Sequence, residues 1–249
     1  MDAASFILLL VASFLSAIMG TMVGMAMVIM VPFMVFFGIP IHTAVATGRF
    51  SMVGIGIGNI RTFSRREKIE ARYIMPISIA GIIGTLVGTS FLKHLSENAL
   101  ENIIGIFIIA ISILVLFEEK LRPNEFKRRI TFRNHAISVL AGLFIGSYIG
   151  IVGGGAATIM IFVLVLVYGL SFHQAVANQK AAILPISIIA TLVFIYQGLI
   201  DYRIGVPLFL VNMLGGYVGA ILILKFKPAW LKIILVPISI LLALKLIFL

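Results

Sequence analysis

The chain has 249 residues, 61% of them hydrophobic and only 11% charged, with a formal net charge of +10 and no cysteine. So apolar a chain cannot bury its surface as a water-soluble core, and without cysteine it has no disulfides, thiol nucleophiles or thiolate metal sites. The cations fall in short tracts between apolar runs rather than on an aromatic-interleaved surface, so they read as topology signals in a lipid bilayer, and no nucleic-acid partner is expected.

The first charge after Asp2 is Arg49, and the interval from Asn134 to Gln179 is likewise free of Asp, Glu, Lys and Arg. Each interval far exceeds the roughly 20 residues that one span requires. The N-terminus lacks a basic n-region and a small-residue cleavage site, so the first apolar run is expected to be retained. The runs are Phe6 to Phe37, Thr43 to Ile60, Tyr73 to Leu92 and Asn102 to Phe117, then a basic linker, 118–135. A second series follows as Ala136 to Tyr168, Gln174 to Gln197, Ile204 to Leu224 and Trp230 to Leu249. This divides the chain into membrane repeats 1–117 and 136–249.

A shift of 131 residues overlays the two series without a gap, placing Gly24 on Gly155, Gly38 on Gly169, His42 on His173, Phe63 on Phe194, Arg72 on Arg203 and Pro76 on Pro207. Ala44-Val45-Ala46 likewise meets Ala175-Val176-Ala177, which is repeat architecture rather than shared composition. The first run of each half, about 32 residues, would extend roughly 48 Å as one helix, against a hydrocarbon core of about 30 Å. Glycine-rich stretches, Gly20 to Gly24 and Gly150 to Gly155, interrupt these runs. The expected fold is therefore all-α and polytopic, each repeat a glycine-broken helical hairpin plus three full spans. Pro76, Pro185 and Pro207 are expected to kink or start spans, and the pairs Gly84/Gly88 and Gly215/Gly219 to serve close helix packing.

Hairpins return to the side they came from, so each half crosses the bilayer an odd number of times and the halves are expected to be inverted. Loops 61–72, 118–135 and 225–232 then share one side with 14 Lys and Arg, against 2 opposite. By the positive-inside rule these loops are cytoplasmic, in the inner or plasma membrane, with the N-terminus and Asp201 outside.

Arg49 and Lys180 occupy equivalent positions inside the second run of each half. A cation there costs on the order of 3 kcal/mol unless paired or wetted, and no Asp or Glu lies inside any span. An anionic ligand answers that cost, whereas snorkelling to headgroups is the alternative. Thr47, Asn178 and Gln179 supply hydrogen-bonding groups beside the cations. Gly24, Gly153, Gly154 and Gly155 would bring backbone N–H groups and a positive helix end to the same anion. His42 and His173 begin the second runs, where helix entry and a proton-linked role are the two readings. An intramembrane enzyme has no support, because the spans hold no carboxylate, no His-Glu-x-x-His and no Gly-x-Ser-x-Gly. No metal or cofactor is expected, and a homodimer is compatible with this architecture.

Together these features resemble the sulfite exporter TauE/SafE family of membrane permeases. The resemblance lies in the glycine-rich turn, the following Gly-x-Pro/Ser-x-His-x-Ala-Val-Ala segment with its polar residues, and the Arg72-Tyr-Ile-Met-Pro76 entry before Gly84-x-x-x-Gly88. It recurs in both halves and covers nearly the whole chain. It implies transport of sulfur-containing anions such as sulfite, thiosulfate or organosulfonates like sulfoacetate, at a site near the hairpin tips between the repeats. An anion channel, or a permease for another small organic anion, would use the same residues, and the sequence does not separate these readings.

Overall fold

The computed structural model describes residues 2–24, 26–64, 69–117, 131–225 and 229–248. Among them, ten helices follow in order: α1 (Ala3–Val23), α2 (Ala26–Phe36), α3 (Ile41–Phe63), α4 (Ala71–Leu92), α5 (Glu97–Phe117), α6 (Phe132–Ile151), α7 (Ala156–Tyr168), α8 (Phe172–Tyr196), α9 (Tyr202–Lys225) and α10 (Ala229–Phe248). Shifted by 131 residues, the bounds of α1 to α5 fall within three residues of those of α6 to α10. Most of the basic linker, 118–130, and much of the other basic loops lie outside the described residues.

Both long apolar runs break as the glycines demand, at the end of each glycine-rich stretch rather than across it. Gly24 ends α1 with φ 84°, its N–H donating to Gly20 O, and Gly153 and Gly155 turn the second hairpin with φ 71° and 81°. Side chains are strained in that left-handed region. Gly20 and Gly150 stay helical and act as packing surfaces: a methyl at Gly20 would press on the Ala26 backbone, and one at Gly150 on the backbone of Thr85, Gly88 and Thr89. In the first hairpin Ser16 Oγ donates to Ala26 O at 2.7 Å and Ser13 Oγ to Met30 Sδ at 3.2 Å, so α2 runs back along α1. With 11 and 13 residues, α2 and α7 extend only roughly 16 and 20 Å and do not cross a bilayer.

The halves are interleaved. Helix α4 packs on α6 and α8, while its counterpart α9 packs on α1 and α3; α5 meets α10, and α3 meets α8. Glycines allow these contacts, as expected. A methyl at Gly84 or Gly88 would strike the α6 backbone at Leu143 and Ser147, and one at Gly215 or Gly219 the α1 backbone at Phe14 and Ile18. Pro76, Pro185 and Pro207 all lie inside helices.

The outward surface is apolar in rows. Met75, Ile79, Ile83 and Leu86 are exposed along α4, and their counterparts Val206, Leu210, Leu214 and Tyr217 along α9. Among the described residues, five helices, α1, α4, α6, α8 and α9, contain stretches long and apolar enough to cross a membrane. Exposed apolar rows on long helices are the mark of a lipid-facing surface.

Candidate functional site

Helices α3 and α8 each carry one cation inward. Arg49 and Lys180 both lie eight residues beyond the first residue of their helix, a rise of roughly 12 Å. Neither side chain reaches the surface: Arg49 is 3% exposed and Lys180 9%. Snorkelling to headgroups is thereby set aside.

What meets the cations is the end of the other half's hairpin helix. Arg49 Nη2 donates to Ile149 O of α6 at 3.1 Å, and Lys180 Nζ to Gly20 O of α1 at 3.4 Å. Carbonyls in the last turns of a helix carry its negative dipole end and so offset part of the cost of burying a cation. They supply no full counter-charge. Among the described residues the ion pair formed is Arg72 with Glu70, at the start of α4, and Arg49 Nε has no hydrogen-bond partner.

Between these cations lies a cavity of about 70 Å³, bounded by Gly24, Arg49, Asn59, Gly153, Gln179 and Lys180. At roughly 10–15 Å³ per water, it holds a handful of waters or one small solute. Ala26 and Met27 of α2 and Ala156 and Ala157 of α7 also line it. The first turns of both short helices therefore border the cavity, where backbone N–H groups have no partner within their helix and the dipole favours an anion. Gly153 approaches Arg49 so closely that a methyl there would fall on the guanidinium. The second turn is fixed by Tyr148, whose buried hydroxyl donates to Gly154 O and whose ring lies 4.7 Å from that of Phe107.

Of the residues expected at the site, Gly24, Arg49, Gly153, Gln179 and Lys180 line this cavity. Thr47 and Asn178 are engaged elsewhere, in a matched pair of bonds between the halves. Thr47 Oγ1 accepts from Asp201 N at 3.0 Å, just ahead of α9, and Asn178 Oδ1 accepts from Glu70 N at 2.9 Å, at the N-cap of α4. Gly154 packs against Val28 and Met27, and Gly155 caps α7 facing Ile111. His42 Nε2 lies 3.1 Å from Leu95 O, and His173 is exposed near the start of α8.

Sequence reasoning missed two polar lining residues, Ser187, which is buried, and Asn59. Asn59 is fully buried, and its amide meets Thr21 Oγ1 at 3.1 Å, a hydroxyl that also lies 2.9 Å from Ala17 O. Arg49, Met52, Gly56 and Asn59 share one face of α3 at spacings of three and four. A lone amide in a glycine-rich apolar run, on the face of a buried cation, was the available signal.

The sulfite exporter TauE/SafE family profile matches residues 6–246. The chain is 24% identical over 238 residues to a probable membrane transporter protein of Haemophilus influenzae, covering 96% of this chain and 91% of that one. It is 25% identical over 204 residues to the probable membrane transporter protein YdhB of Bacillus subtilis, covering 80% of each. With the probable membrane transporter protein YfcA of Escherichia coli K12 it shares 24% identity over 219 residues, 88% of this chain and 80% of that one. Its long apolar helices, its lipid-facing rows and this match agree: the chain is a multi-pass membrane protein of the sulfite exporter TauE/SafE family, a family of membrane transporters.

Proposed function

We propose that the chain is a permease for sulfur-containing anions such as sulfite, thiosulfate or organosulfonates like sulfoacetate, working by alternating exposure of the central cavity. The observation that carries this reading is the burial of Arg49 and Lys180 in one cavity with no acidic partner among the described residues. Two desolvated cations facing one small space demand an anion, since each costs on the order of 3 kcal/mol in hydrocarbon when uncompensated. The Arg49 and Lys180 side chains and the first turns of α2 and α7 border the cavity and offer donors to the anion's oxygens. Gln179 also lines the cavity. The sulfur preference rests on the family.

The carrier mechanism rests on the repeat. Arg49 meets the end of α6, whereas Lys180 meets the end of α1, so each half's cation is tied to the other half's hairpin. Gly20 and Asn59 border the cavity together with Lys180, and Gly56 approaches Leu184, contacts that support α3 and α8 running in opposite directions. Opposed directions are what inverted halves require. With the loop charges, this supports the basic loops on the cytoplasmic side of the inner or plasma membrane.

The test is a thermal-shift screen of purified protein against sulfite, sulfate, thiosulfate, sulfoacetate, phosphate and simple carboxylates, repeated on Lys180→Ala. Selective stabilisation by sulfur anions, lost in the variant, is expected. No selective response sinks the substrate assignment. Counterflow in proteoliposomes then separates a carrier, which shows it, from a channel, which does not.

A further inference from the structure

Away from the central cavity, three helix ends meet in one place: the end of α2, the start of α5 and the end of α10. They border a cavity of about 280 Å³, floored by Pro32, Val35 and Leu242 and rimmed by Phe36, Glu101 and Lys245. A second space of about 280 Å³ shares Glu101 and adds the amides of Asn98 and Asn102. Lys245 Nζ stands 3.7 Å from the centre of the Phe36 ring, and among the described residues neither Lys245 nor Glu101 belongs to an ion pair. Lys245 is exposed and Glu101 half-buried, so a ligand can reach both. Helix dipoles account for each charge singly, an acid near the start of α5 and a cation near the end of α10, but not for one cavity rimmed by both. Glu101 lies four residues into α5 and Lys245 three residues before the end of α10, depths of roughly 6 and 5 Å, about the thickness of one headgroup layer. Deeper along the same helices, Leu241 and Leu244 of α10 and Ile106 of α5 are exposed, an apolar track for acyl chains.

We propose that this cavity binds the headgroup of a phospholipid that carries a primary amine, phosphatidylethanolamine, with the phosphate at Lys245 and the ammonium at Glu101. A free inorganic anion drawn to Lys245 is repelled by Glu101 and gains nothing from the apolar floor. An anionic headgroup meets the same carboxylate. A zwitterionic headgroup satisfies both signs, and its glycerol and first acyl carbons cover Pro32, Val35 and Leu242. The amine must keep its N–H groups, because a carboxylate flanked by two amide side chains reads hydrogen-bond donors, which a trimethylated amine lacks. None of these residues borders the cavity of Arg49 and Lys180, so the lipid site stands apart from the passenger.

The experiment is native mass spectrometry of the full chain in detergent, titrated with phosphatidylethanolamine, phosphatidylcholine and phosphatidylglycerol of identical acyl chains. The wild type is expected to hold phosphatidylethanolamine about fivefold more tightly than either of the others, the worth of one partly exposed charged hydrogen bond. In Glu101→Gln the preference over phosphatidylcholine is expected to vanish, with phosphatidylcholine affinity itself changed less than about twofold. Lys245→Met, which removes the phosphate partner, is expected to weaken all three lipids about threefold. Soluble phosphoethanolamine is expected to bind at least about tenfold more weakly than the lipid, since it leaves the apolar floor uncovered. Equal affinity for the soluble headgroup would overturn the lipid assignment in favour of a free amino phosphate. Equal retention of the three lipids by the wild type, a comparison that needs no variant to fold, would overturn the proposal. So would a preference that survives Glu101→Gln, or affinities unmoved by Lys245→Met.

Discussion

Gly153 sits where backbone conformation and charge meet, so replacing it separates the two effects. Its φ of 71° costs an alanine about 1–2 kcal/mol whatever surrounds it. Gly198, with φ 68° and open space around it, carries that backbone cost alone. At Gly153 the added methyl also falls on the Arg49 guanidinium, which must move and give up its bond to Ile149 O. A hydrogen bond to a charged group is worth about 1.5–3 kcal/mol, so Gly153→Ala is expected to cost about 3–5 kcal/mol where Gly198→Ala costs about 1–2. Thermal melts of both variants in one detergent measure the difference, and flux into proteoliposomes measures its consequence. Gly153→Ala is expected to lose most of its transport, while Gly198→Ala keeps it. Equal melting temperatures with normal flux in both would show that the Arg49 position does not matter, and would refute the reasoning.

Arg49→Met and Lys180→Met each remove a buried charge that has no acidic partner among the described residues, so without ligand both are expected to melt higher than the wild type, by the equivalent of roughly 2–3 kcal/mol, while losing stabilisation by anions. A fall in ligand-free stability would mean that the helix-end carbonyls already satisfy the cations. Thr47→Val strands the Asp201 N–H and is expected to cost about 1–3 kcal/mol of stability with anion affinity unchanged, read by melting and titration together. Gly146→Ala is expected to lower the melting point by the equivalent of about 1–3 kcal/mol, because its methyl meets the Gly81 backbone across the α4–α6 contact.

The fold was legible because its determinants are local and duplicated. Run lengths and glycines announced the hairpins, and a single offset of 131 residues related every helix of one half to its counterpart. The break points were less legible. Gly20 and Gly24 look alike in sequence, yet one stays helical against Ala26 and the other caps α1 in a left-handed turn, its N–H on Gly20 O. Arg49 and Lys180 stood out because charge inside a span is costly wherever it occurs. Thr47 and Asn178 stood beside them and share the repeat, but an offset of two residues, about 200° around a helix, turns their side chains from the cavity toward the starts of α9 and α4.

Asn59 shows why duplication is a partial guide to a transport site. Aligning halves finds what the two sides of a passage share, namely the cations and the helix ends that hold them. A group present in one half alone has no counterpart to align with. Thr21 and Asn59 face Val152 and Ala190 in the alignment, which reads as ordinary divergence until the cavity places the amide at one end and the guanidinium at the other. The repeat therefore locates the two buried cations, while departures from it become legible only through the cavity they line. In this chain the repeat supplies equivalent lining positions, Ala26 with Ala157 and Met52 with Ile183, while Asn59 against Ala190 and Ser187 against Gly56 depart from it.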